Sequence, residues 1–461
     1  MTRPPFEVAD IVRRHGDRVL EKYRAWVTGA HRRVFRAITQ CRTAALGGHR
    51  DRCEQCAQLA VSYNSCRDRH CPKCLTAARN AWVAAREQEL LPVGYVHLVF
   101  TMPEPLARLA LVNKRLVYDL LFYAAADTLL QVARNPKRLG GAIGGLMVLH
   151  TWGQRLQHHP HVHCVVPMGG LAPGGTRWIH ARPRFFLPIA VLRTLFRGKL
   201  VAGLRAAFRE GRLDFPGTLA PLKPEAAFRA FLRSLYRQTW VVYAKPPFGS
   251  PAHVLHYLAR YTHRVAISNH RLVDVTDDTV SFRWKDYRHG SRVQTLTLDV
   301  DEFLRRFLVH VLPKRFVRIR YFGFLASRCR RLQLTQCRQA LAVAAAPPPD
   351  PPPPAPPRSS WPCPRCGGAM RLIERLTARH SSLRRCSPTS SMTRRSGTPR
   401  SARRCEVALV RACAGGLPRA PRRCPRRRRP ARRPRCHRCT RTLSRASYAR
   451  TSGSVRLKRH S

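Results

Sequence analysis

The sequence predicts an α+β fold, and three observations carry that prediction. Residues 95–101 alternate β-branched and aromatic side chains, and residues 161–167 place histidines on one side of valines, the pattern of strands. Residues 5–46, 106–133 and 191–212 repeat apolar positions near helical spacing. Close pairs of cysteines stand between the first helices and the first strand, the mark of a metal-held module.

The chain has 461 residues and is 44% hydrophobic, which fits two or three domains with real cores. Its net charge is +60, from 85 Lys+Arg against 25 Asp+Glu. That excess selects a polyanionic partner, with nucleic acid ahead of a charged membrane surface. No apolar run reaches the ~18 residues of a spanning helix, and residues 1–14 have no apolar signal core, so a cytoplasmic protein without a membrane partner is expected. From Leu376 onward there are 25 arginines, one lysine and one glutamate, so the body of the chain is basic without its tail.

Taken in order, residues 5–46 read as a helical pair. Then come His49, Cys53, Cys56, Cys66, His70, Cys71 and Cys74. Each Cys-x2-Cys sets two thiolates on one tight turn, and two such turns complete a tetrahedral Zn²⁺ site. Cys53, Cys56, Cys71 and Cys74 are the expected ligands of a structural zinc. Cys66 and His70 are alternates that replace two of them or help form a second site. A helix over 77–91, the strand 95–101, helices over 106–133 and a strand over 146–152 lead to Gln157-His158-His159-Pro160-His161-Val162-His163. On a strand, His161 and His163 project from one face. Neutral imidazole is the commonest metal ligand, so the pair is half of a divalent metal site. The third ligand stays open among His97, His158, His159 and His256.

Helices follow over 191–212 and 224–240, then a helix over 253–264 with Tyr257 and Tyr261 four apart on one face. Strands are expected over 265–268, 271–275, 280–284 and 294–298, and a helix over 300–311. Arg315, Arg318 and Arg320 interleave with Phe316, Tyr321, Phe322 and Phe324. This pattern suits single-stranded DNA, or equally a buried element with basic edges. Arg260, Arg264, Lys285 and Arg288 are further candidate DNA contacts. Residues 346–358 form a polyproline linker. Cys363-x2-Cys366 reads as a remnant zinc knuckle without a convincing partner pair. Past 376 hydrophobic periodicity vanishes, which predicts a disordered, out-of-frame tail. The expected divisions are 1–91 helical and zinc-binding, 92–330 catalytic, 331–360 helix and linker, 361–375 knuckle and 376–461 tail.

A divalent ion on His161 and His163 suits a scissile phosphate, and a tyrosine hydroxyl suits attack on it, leaving a 5′-phosphotyrosine. At this point the chain resembles a family, the two-tyrosine rolling-circle transposases of insertion sequences within the HUH (His-hydrophobic-His) endonuclease superfamily. The resemblance covers about residues 8–327 with a remnant at 363–370. It rests on Asn64-Ser65-Cys66-Arg67-Asp68-Arg69-His70-Cys71-Pro72-Lys73-Cys74, His97-Leu98-Val99-Phe100-Thr101-Met102-Pro103, His159-Pro160-His161-Val162-His163 and Tyr257-Leu258-Ala259-Arg260-Tyr261-Thr262-His263-Arg264, in that order. The resemblance implies a zinc-binding domain ahead of a ferredoxin-like antiparallel nuclease sheet. It implies His161 and His163 as ligands of Mg²⁺ or Mn²⁺, Tyr257 and Tyr261 as nucleophiles, and single- and double-stranded DNA at element ends as partners in a bacterial, nucleoid-associated setting. Two rivals remain: a replication initiator or relaxase with the same chemistry, and a catalytically dead, zinc-dependent DNA-binding protein.

Overall fold

A five-stranded antiparallel sheet runs through the middle of the computed structural model, which describes residues 4–183, 186–245, 266–287, 289–342 and 361–378. The strands are β1 (Gly48–Cys53), β2 (Leu59–Tyr63), β3 (Tyr95–Thr101), β4 (Gly144–Trp152), β5 (His158–Pro167), β6 (Gly169–Leu171), β7 (Trp178–His180), β8 (Val241–Lys245), β9 (Leu272–Val275), β10 (Thr279–Asp286), β11 (Arg292–Asp299), β12 (Ile319–Gly323) and β13 (Met370–Leu376). The helices are α1 (Val8–Lys22), α2 (Gly29–Gln40), α3 (Thr76–Glu87), α4 (Glu104–Val112), α5 (Lys114–Arg134), α6 (Ile189–Arg209), α7 (Glu225–Ser234), α8 (Val300–Val309) and α9 (Arg330–Ala340).

The central sheet has the order β12-β4-β5-β3-β8. Without the edge strand β12, its connectivity is β3, helices, β4, β5, helices, β8, laid out as fourth-first-third-second. That is the ferredoxin-like arrangement that the family resemblance implies. Alternation along the strands divides its faces. Val96, Leu98, Phe100, Met147, Leu149, Val162 and Cys164 point to one face and pack with α4, α5, α6 and α7 in the largest core. The opposite face receives Leu146, Val148, Val165 and Tyr95, covered by Phe324 and the α9 residues Leu334 and Cys337. Farther along that face stand His97, His150, His161 and His163, of which His97 and His150 are buried.

Helix α5 has the length and apolarity of a membrane-spanning helix, although no charge-free run announced it. Here Val117, Tyr118, Leu121, Phe122, Ala125 and Leu129 are buried against the sheet and α6, so it serves as the core helix. Its first residue, Lys114, donates to the carbonyls of Val309 (2.8 Å) and Val311 (2.9 Å). A cation there satisfies the C-terminal carbonyls of α8 and its dipole.

The N-terminal helices do not form a core of their own. Val8, Ile11, Val12, Val34, Phe35 and Ile38 share one with Phe282 of β10 and Phe303, Leu304 and Phe307 of α8. Asp301 binds Arg18 (2.8 Å) and Lys22 (2.7 Å) across the same boundary. The strand expected over 265–268 does not form in its described part. Ala266 has a positive φ of 58° and Asn269–Arg271 is a 3-10 turn, which carries the Asn269 side chain to the Val8 amide at 3.2 Å. The segments 246–265 and 379–461, and with them the helix of Tyr257 and Tyr261 and the expected tail, lie outside the described residues.

Phe100 is fully buried on β3 and meets Phe196 of α6 edge-on at 5.1 Å. Phe100→Ala should cost about 3–5 kcal/mol through lost burial and the cavity left behind. A fall in the urea midpoint, with an unchanged zinc content, is the expected measurement.

Candidate functional site

The antiparallel register sets His150 of β4 directly beside His161 of β5, and Val148 beside His163. All three histidines leave the sheet on the face away from the helical core. Their ring centroids lie 5.3 Å (150–161), 4.2 Å (150–163) and 4.9 Å (161–163) apart. One ring nitrogen from each falls within 4.8 Å of the others, close enough to share one ion. His161 and His163 were expected from the sequence; His150 was not. The strand over 146–152 was legible, but only the register against β5 brings His150 to the cluster.

The other candidates for a third ligand take different roles. His158 points to the helical side, where its Nε2 meets the buried Tyr118 hydroxyl at 2.8 Å. His159 stands exposed, and its carbonyl accepts from Nδ1 of His161 at 2.7 Å. His97 lies on the histidine face with Nε2 2.8 Å from Nδ1 of His163. These two contacts are the outer shell a metal-binding histidine uses: a proton held on Nδ1 leaves Nε2 for an ion. His256 lies outside the described residues.

Burial favours the neutral, ligand form of His97, His161 and His163. Burial, then His159, lowers His161 to about 4. Burial and the neighbouring His150, His161 and His97 push His163 well down. Burial and Lys245 bring His97 to about 4. Behind the strand, burial lowers His310 to about 3; its Nδ1 pairs with the Thr151 hydroxyl (3.2 Å) and its Nε2 with the Leu156 carbonyl (3.1 Å).

Among the described residues the cysteines form two sets of four, neither of them the set expected. Cys41, Cys66, Cys71 and Cys74 converge, and Cys53, Cys56, Cys363 and Cys366 converge elsewhere. The set Cys53, Cys56, Cys71 and Cys74 is therefore corrected. Cys53 and Cys56 lie at the end of the β1–β2 sheet, while Cys71 and Cys74 sit in the core of α1, α2 and α8. Cys41, at the end of α2, lies outside any Cys-x2-Cys pair, so spacing alone does not single it out. The alternates divide: Cys66 joins, 3.7 Å from Cys74 Sγ, and His70 does not. His70 is buried with Nδ1 on Asp68 Oδ1 (2.9 Å), and its Nε2 accepts the Leu312 amide (3.3 Å). The Cys363-Cys366 knuckle, expected to stand without a partner pair, faces Cys53 and Cys56.

Around Cys41, the thiols of Cys66, Cys71 and Cys74 drive its pKa far down, and Cys41 in turn drives theirs up. Four thiol ligands within 4.8 Å of one another are the donor set of structural Zn²⁺. The amide of Cys56 helps hold the Cys53 thiol at about 6.

Of the basic residues singled out, Lys285 and Arg315 are exposed. Arg318 is buried, and burial followed by Arg69 lowers it to about 10. Arg320 pairs with Asp119 and lies over the Phe122 ring at 4.2 Å. Phe316, Phe322 and Phe324 are buried. The stretch 315–324 is thus a buried element with basic edges, and Arg318 and Arg320 are corrected to structural roles. Arg260, Arg264 and Arg288 lie outside the described residues.

A family model described as a putative transposase matches residues 144–333, which span the histidine strands, and a transposase zinc-binding domain matches residues 11–102. The putative transposase y4qJ of Sinorhizobium fredii (strain NBRC 101917 / NGR234) is 54% identical over 347 residues, 75% of this chain and 86% of that protein. The chain is an insertion-sequence transposase of the IS91 family. The transposase for insertion sequence element IS801 of Pseudomonas savastanoi pv. phaseolicola is 32% identical over 311 residues, 66% of this transposase and 72% of that one. No solved structure matches it. The transposase accordingly acts on DNA and binds zinc.

A buried imidazole that titrates near 3 makes the fold acid-sensitive. In the unfolded chain it binds its proton near pH 6.5, so stability is complete above that value and falls as pH drops toward 3. For His310 alone the loss should reach roughly 2 kcal/mol at pH 5. Urea midpoints at pH 7.5 and 5 measure it, and His310→Gln should flatten the difference by about one proton.

Proposed function

We propose that this transposase cleaves single-stranded DNA at the ends of its element through a 5′-phosphotyrosine link and rejoins the strand at a new site, in rolling-circle transposition. The observation that carries this reading is the cluster of His150, His161 and His163, three imidazoles on one sheet face with a ring nitrogen each within 4.8 Å of the others. The donor set fits a divalent cation, with His97 and the His159 carbonyl holding the ring orientations. Mg²⁺ or Mn²⁺ bound there would polarise the scissile phosphate.

Tyr257 and Tyr261 are the nucleophiles in this proposal. In sequence they follow β8, whose Lys245 lies opposite His97 on β3. One tyrosine oxygen forms a bond to phosphorus, the bond from phosphorus to the 3′ oxygen breaks, and that oxygen leaves with a proton. The phosphodiester energy is kept in the tyrosyl link, so a free 3′ hydroxyl can reverse the step without ATP. A second tyrosine supplies a second link, one for each strand end. The transposase names of the relatives favour this over a replication initiator or relaxase.

Tyr257→Phe and Tyr261→Phe keep the ring and remove the oxygen. At least one should abolish the covalent protein–DNA adduct on single-stranded end sequences, and the double variant should leave none. His150→Ala, His161→Ala and His163→Ala should each lose cleavage by 100-fold or more, on the order of 3 kcal/mol, while DNA binding persists through dispersed Lys and Arg charge. EDTA should do the same, reversed by Mg²⁺ or Mn²⁺. Adduct formation by the double phenylalanine variant would remove the tyrosines from the chemistry.

A further inference from the structure

We propose that Cys53, Cys56, Cys363 and Cys366 hold a second structural zinc ion, which clasps residues 361–376 onto the N-terminal module. The matched zinc-binding domain ends at residue 102 and contains only half of these ligands.

Geometry within the cluster comes first. Cys53 Sγ lies 3.4 Å from Cys366 Sγ, and Cys56 Sγ lies 3.7 Å from Cys363 Sγ. All four sulfurs fall within 4.8 Å of one another.

The two knuckles are built alike, although 313 residues separate Cys53 from Cys366. In the first, the Cys53 amide donates to the Gln58 carbonyl (2.9 Å) and the Ala57 amide to the Cys53 carbonyl (3.1 Å). In the second, the Cys363 amide donates to the Gly368 carbonyl and the Gly367 amide to the Cys363 carbonyl, both at 2.8 Å. Backbone amides point at sulfur in each: Cys56 at Cys53 Sγ (3.5 Å) and Arg365 at Cys363 Sγ (3.4 Å). Both turns close on a left-handed residue, Ala57 at φ 55° and Gly367 at φ 77°. An alanine rarely pays the cost of that conformation, so the turn is imposed by what it holds. Two matched turns presenting four thiols are the half-sites of a tetrahedral zinc ribbon.

The strands that leave the knuckles complete the module. β2 and β13 flank β1 in one antiparallel sheet, with Cys53 opposite Met370 and Gly48 opposite Leu376. Trp361 Nε1 donates to the buried Asp51 carboxylate at 3.1 Å, and Arg50 pairs with Glu374 at 3.1 Å. Gly47 has φ 67°, and a Cβ there would meet the Leu376 carbonyl at 2.3 Å. The N-terminal chain is therefore shaped to receive β13.

The test counts zinc in the full chain carrying His161→Ala and His163→Ala, so that only thiol sites contribute. Elemental analysis should give two zinc ions per chain, and Cys363→Ser with Cys366→Ser should reduce this to one. Hydrogen exchange guards against simple misfolding. In the serine variant, β1 and β13 should lose protection while β3, β4 and β5 keep theirs. Ready alkylation of Cys363 and Cys366 in the untreated full chain, a count of one before mutation, or a count of two after it would overturn the clasp.

Discussion

Side chains on neighbouring antiparallel strands alternate between two faces, and the register of β4 against β5 decides what each face receives. With Leu149 beside Val162, both enter the helical core. With His150 beside His161, both leave it. A slip of one residue would exchange these sets, burying imidazoles among leucines and exposing valines. The apolar face therefore fixes the histidines: the same burial that holds β5 in place, together with the α5 helix behind it, leaves His161 and His163 nowhere else to point.

Burial is the main cause that keeps His97, His161 and His163 uncharged, and Lys245 adds to it at His97 and His163. Lys114 sits behind the sheet on the carbonyls that end α8, and it lowers His31, His158 and His310 along with burial. A buried ammonium itself pays for this position, drawn down to about 8. Neutral imidazoles close together repel no cation, whereas two imidazolium ions at these separations would. The histidine face is thus prepared for an ion by its surroundings as much as by its ligands.

Local signals in the sequence carried much of the architecture. The β3 strand matched at both ends, and His161-Val162-His163 showed its two-faced character through spacing alone. The Cys-x2-Cys pairs were equally plain, because a chelating turn is local. What remained hidden was long-range partnership. Cys41 lies 25 residues before Cys66 with no companion beside it. His150 needed a register, and Cys363 needed a partner on the far side of the chain. Arg320 misled for a related reason: interleaved arginine and aromatics look alike whether the guanidinium meets DNA or lies over Phe122 beside Asp119.

The clasp also sets an order in time. A ribosome adds about 5–20 residues per second. The 313 residues between Cys53 and Cys366 therefore take roughly 15–60 s to make. Throughout that interval β1 has only β2 beside it, with one edge open and two thiols waiting. The nascent chain must keep this edge from pairing elsewhere until β13 emerges. Maturation of the N-terminal module thus reports that translation has passed the second knuckle.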